Sequence, residues 1–168
     1  MKNTLEIREY ATITEFSEAC YEWLGEREDY YNGLISTSDQ INSNCEVFHR
    51  PFWFASVHND NRLVGCCIHA EPDGLLVSEL PIDSIDRLAS LLVRRVGTVR
   101  RIIGHSNSSK LLAIASSRIA GSRNFSECDW NVYRLDKECL RPTQVHGNLR
   151  ICNSKDRELV ASWGHEYG

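Results

Sequence analysis

The chain has 168 residues, 42% apolar and 25% charged, with a formal net charge of −4. That balance suits a soluble globular domain with a real core, and the mild negative charge singles out no anionic partner. No apolar run reaches the roughly 18–20 residues of a membrane span. The N-terminus MKNTLEIREYATITEF also lacks a basic stretch followed by an apolar one, so a signal peptide is not expected and the default location is the cytoplasm.

Helical spacing begins early. Thr12 caps a first helix and Glu15 completes a capping box, with Phe16, Ala19, Cys20, Trp23 and Leu24 on one side and an interruption at Gly25. A second helix is expected over Glu26 to Ile35, with Tyr30, Tyr31 and Leu34 facing inward, followed by a polar loop from Ser36 to Asn44. Two strands come next, Phe52–Val57 and Leu63–Ala70, joined by a turn at Asn59, Asp60 and Asn61. Both of their faces are largely apolar, so the sheet is expected to be covered on both sides.

Gly74 to Leu80 reads as a third strand. Asp83 is a cap for a helix whose stripe is Ile85, Leu88, Ala89, Leu92 and Val96, closed by Gly97. A short strand is centred on Ile102 and Ile103, and Ser106 to Ser109 offer caps for a helix from Lys110 to Ala120. Cys128 to Tyr133 alternate as a further strand, and Leu140 to Gly147 read as a linker. Leu149–Cys152 and a helix carrying Leu159, Val160 and Trp163 follow. A hairpin first and crossover helices later predict an α/β (α+β) fold, a mixed central sheet with helices on both faces.

Seven cysteines with no C-x-x-C are expected to act as small buried hydrophobes, and Cys66 and Cys67, being adjacent in a strand, to face opposite ways. Six histidines show no metal-binding spacing. Across the predicted hairpin His58 opposes Leu63 and His69 opposes Phe52, so no metal site is expected. From Arg87 to Ser126 there are eight bases and no acid, while residues 1–50 carry ten acids against four bases. Residues 87–124 contain no Phe, Tyr or Trp, so a base-stacking platform is absent there and no nucleic-acid partner is expected. The basic segment is read as solvated helix faces or as an interface with an acidic surface.

The order of elements resembles that of the GNAT superfamily of N-acyltransferases, in particular the degenerate N-terminal half of bacterial proteins with two such halves in tandem. The resemblance lies in YYNGLIS, in FWFASVHNDNRLVGCCIHAEPDGLLVSELP, in VYRLDKECLRP and above all in GNLRICNSKDRELVASW. In the last of these, Gly147, Arg150, Asp156 and Trp163 stand where the second, catalytic half of the family opens. The resemblance implies a GNAT-like domain over residues 1–140, a linker over 141–147, and the first strand and helix of a catalytic domain over 148–168. It also implies a parent enzyme that transfers an acetyl group from acetyl-CoA to a small primary amine, using a backbone N–H for the oxyanion and a general base for the amine proton.

Family members hold the pyrophosphate in an R/Q-x-x-G-x-G/A loop between strand and helix. By count Arg101, Gly104 and Ser106 match that pattern in RIIGHSNSS, although Ile102 and Ile103 read as strand core and the turn has a single glycine. The expectation is therefore a non-catalytic half without its own acyl-CoA site, with no catalytic residue, supporting a catalytic half or a second subunit. Two alternatives stand beside it. One is a stand-alone interaction domain. The other is a small serine hydrolase, since GHSNS is nearly the G-x-S-x-G elbow, with Ser106 as nucleophile and Asp129, Asp136, Asp156, His146 and His165 downstream. Ser108 in place of the final glycine and the lack of a glycine-rich oxyanion loop weigh against it.

Overall fold

Asp60 and Asn61 both adopt left-handed backbone, with φ of 49° and 65°. This paired geometry matches the twist of a two-residue hairpin, and short polar side chains tolerate it. The turn joins β2 (His49–Asn59) to β3 (Arg62–Glu71). The structure, a computed structural model, describes residues 5–43, 46, 48–122, 128 and 150–167. The chain divides into two compact units, Met1–Tyr133 and Arg134–Gly168.

In the first unit the hairpin lies at the centre of a five-stranded sheet of order β1-β2-β3-β4-β5. β1 (Leu5–Tyr10) runs antiparallel to β2, with Tyr10 opposite Phe54, and β4 (Gly74–Val77) runs antiparallel to β3. β5 (Ile102–Gly104) pairs parallel with β4, with Leu75 opposite Ile102. The helices are α1 (Ile13–Gly25), α2 (Glu28–Asn42), α3 (Ile85–Arg95) and α4 (Ser106–Ala120).

Alternation along β2 sends its side chains to two separate cores. Trp53, Ala55 and Val57 join Cys67, Leu75 and Val77 under Leu88, Leu92 and Leu112 of α3 and α4. Phe54 joins Cys66, Ile68 and Leu76 under Phe16, Leu24, Leu34 and Ile41 of α1 and α2. The mixed α/β fold with helices on both faces is thus present, and Cys66 and Cys67 do face opposite ways. Burial pushes both thiols well above their usual range, so they pack as hydrophobes and are poor nucleophiles.

Several local expectations are corrected. β1 is an additional strand at the N-terminus. Glu6, Arg8 and Glu9 interrupt its apolar pattern, which an edge strand with one half-wet face permits. The segment expected as a polar loop from Ser36 continues α2 to Asn42, because Thr37, Ser38 and Ile41 turn inward and Ser38 Oγ meets Ser17 Oγ of α1 at 2.8 Å. Tyr30 is 49% exposed, not part of the buried side, because Tyr31 carries non-helical dihedrals (φ −110°, ψ 15°) that reorient the first turn. Ala19 is also exposed.

β4 ends at Val77, before the expected Leu80. Asp83 sits inside a 3-10 turn, Ile82–Ser84, that leads into α3, so it is not the cap. α4 begins at Ser106, not Lys110. His58 opposes Leu63 as expected, but a register shift between His49 and Trp53 places His69 opposite Trp53, not Phe52. Cys128 and Cys152 are exposed, whereas Cys20, Cys66 and Cys67 are buried. The other two cysteines, the strand expected after Cys128 and the linker expected over 140–147 lie outside the described residues.

In the second unit, the strand expected over Leu149–Cys152 is not formed across its described part, residues 150–152. Asn153 caps a 3-10 turn, Ser154–Asp156, by accepting from Lys155 N, and α5 (Arg157–Tyr167) follows. Arg150 grips the Asp156 carboxylate through both terminal nitrogens at 2.6 Å, and Asn153 N donates to the same group. Ile151 is 93% exposed, and Leu159, Val160 and Trp163 are half-exposed.

Candidate functional site

Ligands of open α/β sheets lie beyond the carboxyl ends of parallel strands. Among the described residues one strand pair is parallel, β4 and β5, so the candidate site is the place where Val77 and Gly104 hand the chain to α3 and α4. Past Val77 the backbone bends away. Ser78 N donates to Cys66 O at 3.0 Å, and Ser78 Oγ accepts from Cys66 N at 2.8 Å while donating to Glu79 O at 2.9 Å. Leu80 N donates to Ser108 Oγ at 2.8 Å. On the other side His105 N donates to Val77 O at 3.2 Å. Ser108 is 2% exposed, and its Oγ lies 3.4 Å from His105 Nδ1. The amides of Leu80 and His105 therefore already have acceptors.

A rim from α1 and α2 surrounds this junction. Trp23 stacks on Tyr31 with ring centroids 5.1 Å apart. The Arg27 guanidinium lies 4.5 Å from the Tyr30 centroid and 5.7 Å from that of Tyr31. Its Nη1 is 3.6 Å from the Glu79 carboxylate, an exposed pair of small energetic weight. The Tyr30 ring reaches to 6.4 Å from His105. Burial raises the Tyr31 hydroxyl above its usual range, with Arg27 opposing that shift. The rim offers aromatic and cationic contact, while the Leu80 amide at the end of the β4 connection is already bonded to Ser108 Oγ.

The sequence-predicted residues fall around the junction with structural roles in view. Arg101 is exposed, and its carbonyl accepts from Leu75 N at 2.9 Å, opening the parallel ladder. Gly104 has φ of 146°, and a Cβ there would stand 1.8 Å from Val77 O. Ser106 is exposed at the first residue of α4 and contributes its carbonyl to Ser109 Oγ at 3.0 Å. Among the described residues no histidine or carboxylate bonds to Ser106 Oγ. Asp156 is held by Arg150, His165 is exposed, and residues 129, 136 and 146 lie outside the described residues.

Sequence reasoning missed Ser108, whose neighbours Ser106 and Ser109 looked like equivalent helix caps. Its distinguishing feature is its face: two residues after Ser106, on the helix side that also carries Leu112 and Ala115. Replacing Ser108 with alanine strands the buried Leu80 amide. We expect a loss of about 1–3 kcal/mol in urea unfolding, against under about 0.5 kcal/mol for Ser109→Ala.

A second polar cluster is buried under α1. Tyr10 OH lies 2.7 Å from Ser56 Oγ, which lies 2.9 Å from His58 Nε2. Burial, then the Arg8 charge, holds the His58 pKa below its ordinary 6.5. The unfolded chain therefore binds the proton more tightly, so stability from this site is full above about pH 6.5 and is lost as pH falls through and below it. Urea midpoints measured between pH 7.5 and 5.5 should drop, and His58→Gln should flatten the slope (the Glu6 and Glu9 carboxyls, lowered by Arg8 and Arg95, titrate at more acid pH). Among the described residues no three His, Cys, Asp or Glu side chains converge as a metal would require, and no helix is long and apolar enough to cross a membrane. No protein-family model matches the chain, and no match is found among curated proteins or solved structures.

Proposed function

We propose that the first unit is a GNAT-like domain with a supporting, non-catalytic role, belonging to an acyl-CoA-dependent N-acetyltransferase whose chemistry is carried by a catalytic half or a second subunit. The sequence of elements among the described residues supports this reading: a strand, two helices, an antiparallel meander of three strands whose last is joined through a helix to a parallel fifth strand, then a further helix. The observation that carries the supporting role is the Leu80–Ser108 hydrogen bond. A thioester oxyanion needs a preorganised free donor at the strand end, and here that amide is taken by a buried side chain of the same domain. In this reading the second unit is the opening of the catalytic half, and its exposed Ile151, Leu159, Val160 and Trp163 are surface for that half to cover, each side chain gaining roughly 1.5–3 kcal/mol when fully buried.

Titration calorimetry of the chain with acetyl-CoA tests the proposal. The expected result is no binding heat. Micromolar affinity that is lost in Arg101→Ala would overturn it and return the cofactor site to the loop from Arg101 to Ser106.

A further inference from the structure

The two helical layers of the first unit carry opposite charge. Between residues 13 and 42, in α1 and α2, there are seven acids and one base, Arg27. Glu18, Glu22, Glu26 and Glu28 are exposed there. On the opposite face of the sheet, α3, the segment leading into β5 and α4 carry seven bases and one acid, Asp86, between residues 85 and 122. Some of these bases are committed inside the fold. Arg87 Nη1 donates to Leu5 O at 2.9 Å, Arg95 grips Glu9 through two nitrogens, and Arg118 pairs with Asp86 at 2.8 Å. Arg94, Arg100 and Arg101 are exposed and form no direct ion pair among the described residues, although the Arg94 charge helps Arg95 hold the Glu9 carboxyl below its usual range.

Stacked layers in such a fold stand about 10 Å apart, so the two charged surfaces are separated by the whole thickness of sheet and helices. That exceeds the screening length of roughly 8–10 Å at ordinary salt. Neither face can neutralise the other within one copy, and each is left with like charges in proximity. The complement of each is displayed on the far side of the same molecule.

We propose that copies of this chain associate head to tail, the basic face around Arg94, Arg100 and Arg101 of one copy docking on the acidic α1–α2 face of the next. The contact joins two different surfaces, so it is heterologous: it closes into a ring if the rotation between copies permits and otherwise extends as a stack. Its strength comes from charge at the rim and from the exposed aliphatic stems of the arginines. The proposal does not depend on the acyltransferase reading.

Sedimentation velocity of the full chain at rising concentration tests it. In roughly 20 mM salt the sedimentation coefficient is expected to climb with concentration, and in roughly 300 mM salt to return to the monomer value, an affinity change of about tenfold or more. The triple variant Arg94→Glu/Arg100→Glu/Arg101→Glu and the double variant Glu18→Lys/Glu22→Lys should each stay monomeric at low salt while keeping the wild-type circular dichroism. Mixed in equal amounts, they should associate. A wild-type chain that is monomeric at low salt overturns the proposal. So does association that persists unchanged in either variant, or a mixture that stays monomeric. Binding of a DNA duplex that the triple variant loses, by a wild-type chain that does not self-associate, overturns it in favour of a polyanion site.

Discussion

Gly104→Ala is expected to lose about 3 kcal/mol or more of stability, enough to leave the first unit largely unfolded at moderate temperature. Two independent causes add at this residue. Its φ of 146° is a conformation that L side chains rarely adopt, and the new Cβ would stand 1.8 Å from Val77 O and 2.8 Å from Val77 C. The obstacle is backbone, which cannot swing aside as a side-chain tip does. Relief requires β5 to slide from β4, and that breaks the His105 N to Val77 O bond and moves Ser108 from Leu80 N. Gly97→Ala supplies the contrast: φ is 90° but nothing lies within 4 Å of its Cβ, so only conformational strain of about 1 kcal/mol applies. Urea unfolding followed by far-UV circular dichroism reads both. Equal losses in the two variants would contradict the close approach of the parallel strands.

Phe16→Ala is the second large effect, at about 3–5 kcal/mol. Phe16 is fully buried on α1, with its ring edge-on to Tyr10 of β1 at 5.8 Å and tilted against Phe54 of β2 at 5.9 Å. It thus ties the first helix to the edge strand β1 and to its neighbour β2. Truncation leaves a void between a helix and a sheet that are each fixed by other contacts, so the site closes poorly. Tyr21 on the same helix is 43% exposed, and its hydroxyl donates to the Asp39 carboxylate at 3.3 Å, so Tyr21→Ala should lose under about 1 kcal/mol. Thermal melts of the two variants should differ by several degrees or more. Similar melting points would mean that α1 does not seat on the sheet as described.

Elements whose side-chain period and punctuation agree are legible in the sequence itself. The hairpin at Asp60 and Asn61, the capping box of Thr12 and Glu15, and the apolar stripe of α3 all appear where pattern alone places them. What stayed hidden depends on distant partners. β1 has charges at three of six positions and becomes a strand because β2 supplies a ladder for it. The last two turns of α2 contain Ser, Thr, Asp and Asn, residues that favour loops by local chemistry. They are helical because Ser38 finds Ser17 and Ile41 finds the core. The Trp53 indole, donating to Glu9 at 2.9 Å, is likewise a contact across 44 residues.

At the candidate site, Gly104 stood out by residue type, but its service is to let two strands touch. Ser108 could not be told from the serines around it without knowing which turn of α4 faces β4. Arg27 and Glu79, whose pairing frames the rim, lie far apart in sequence and belong to elements whose apposition only the sheet order reveals.

The placement of β1 has a consequence for synthesis on the ribosome. Tyr10 pairs with Phe54, so the first strand emerges long before its partner exists, and it must wait while two helices form behind it. Closing a loop of that length is slow compared with zipping the β2–β3 hairpin, whose ends are local. During the wait the strand is an orphan edge that other nascent chains could capture. Glu6, Arg8 and Glu9 serve as gatekeepers through that interval, their charges discouraging intermolecular pairing until β2 arrives.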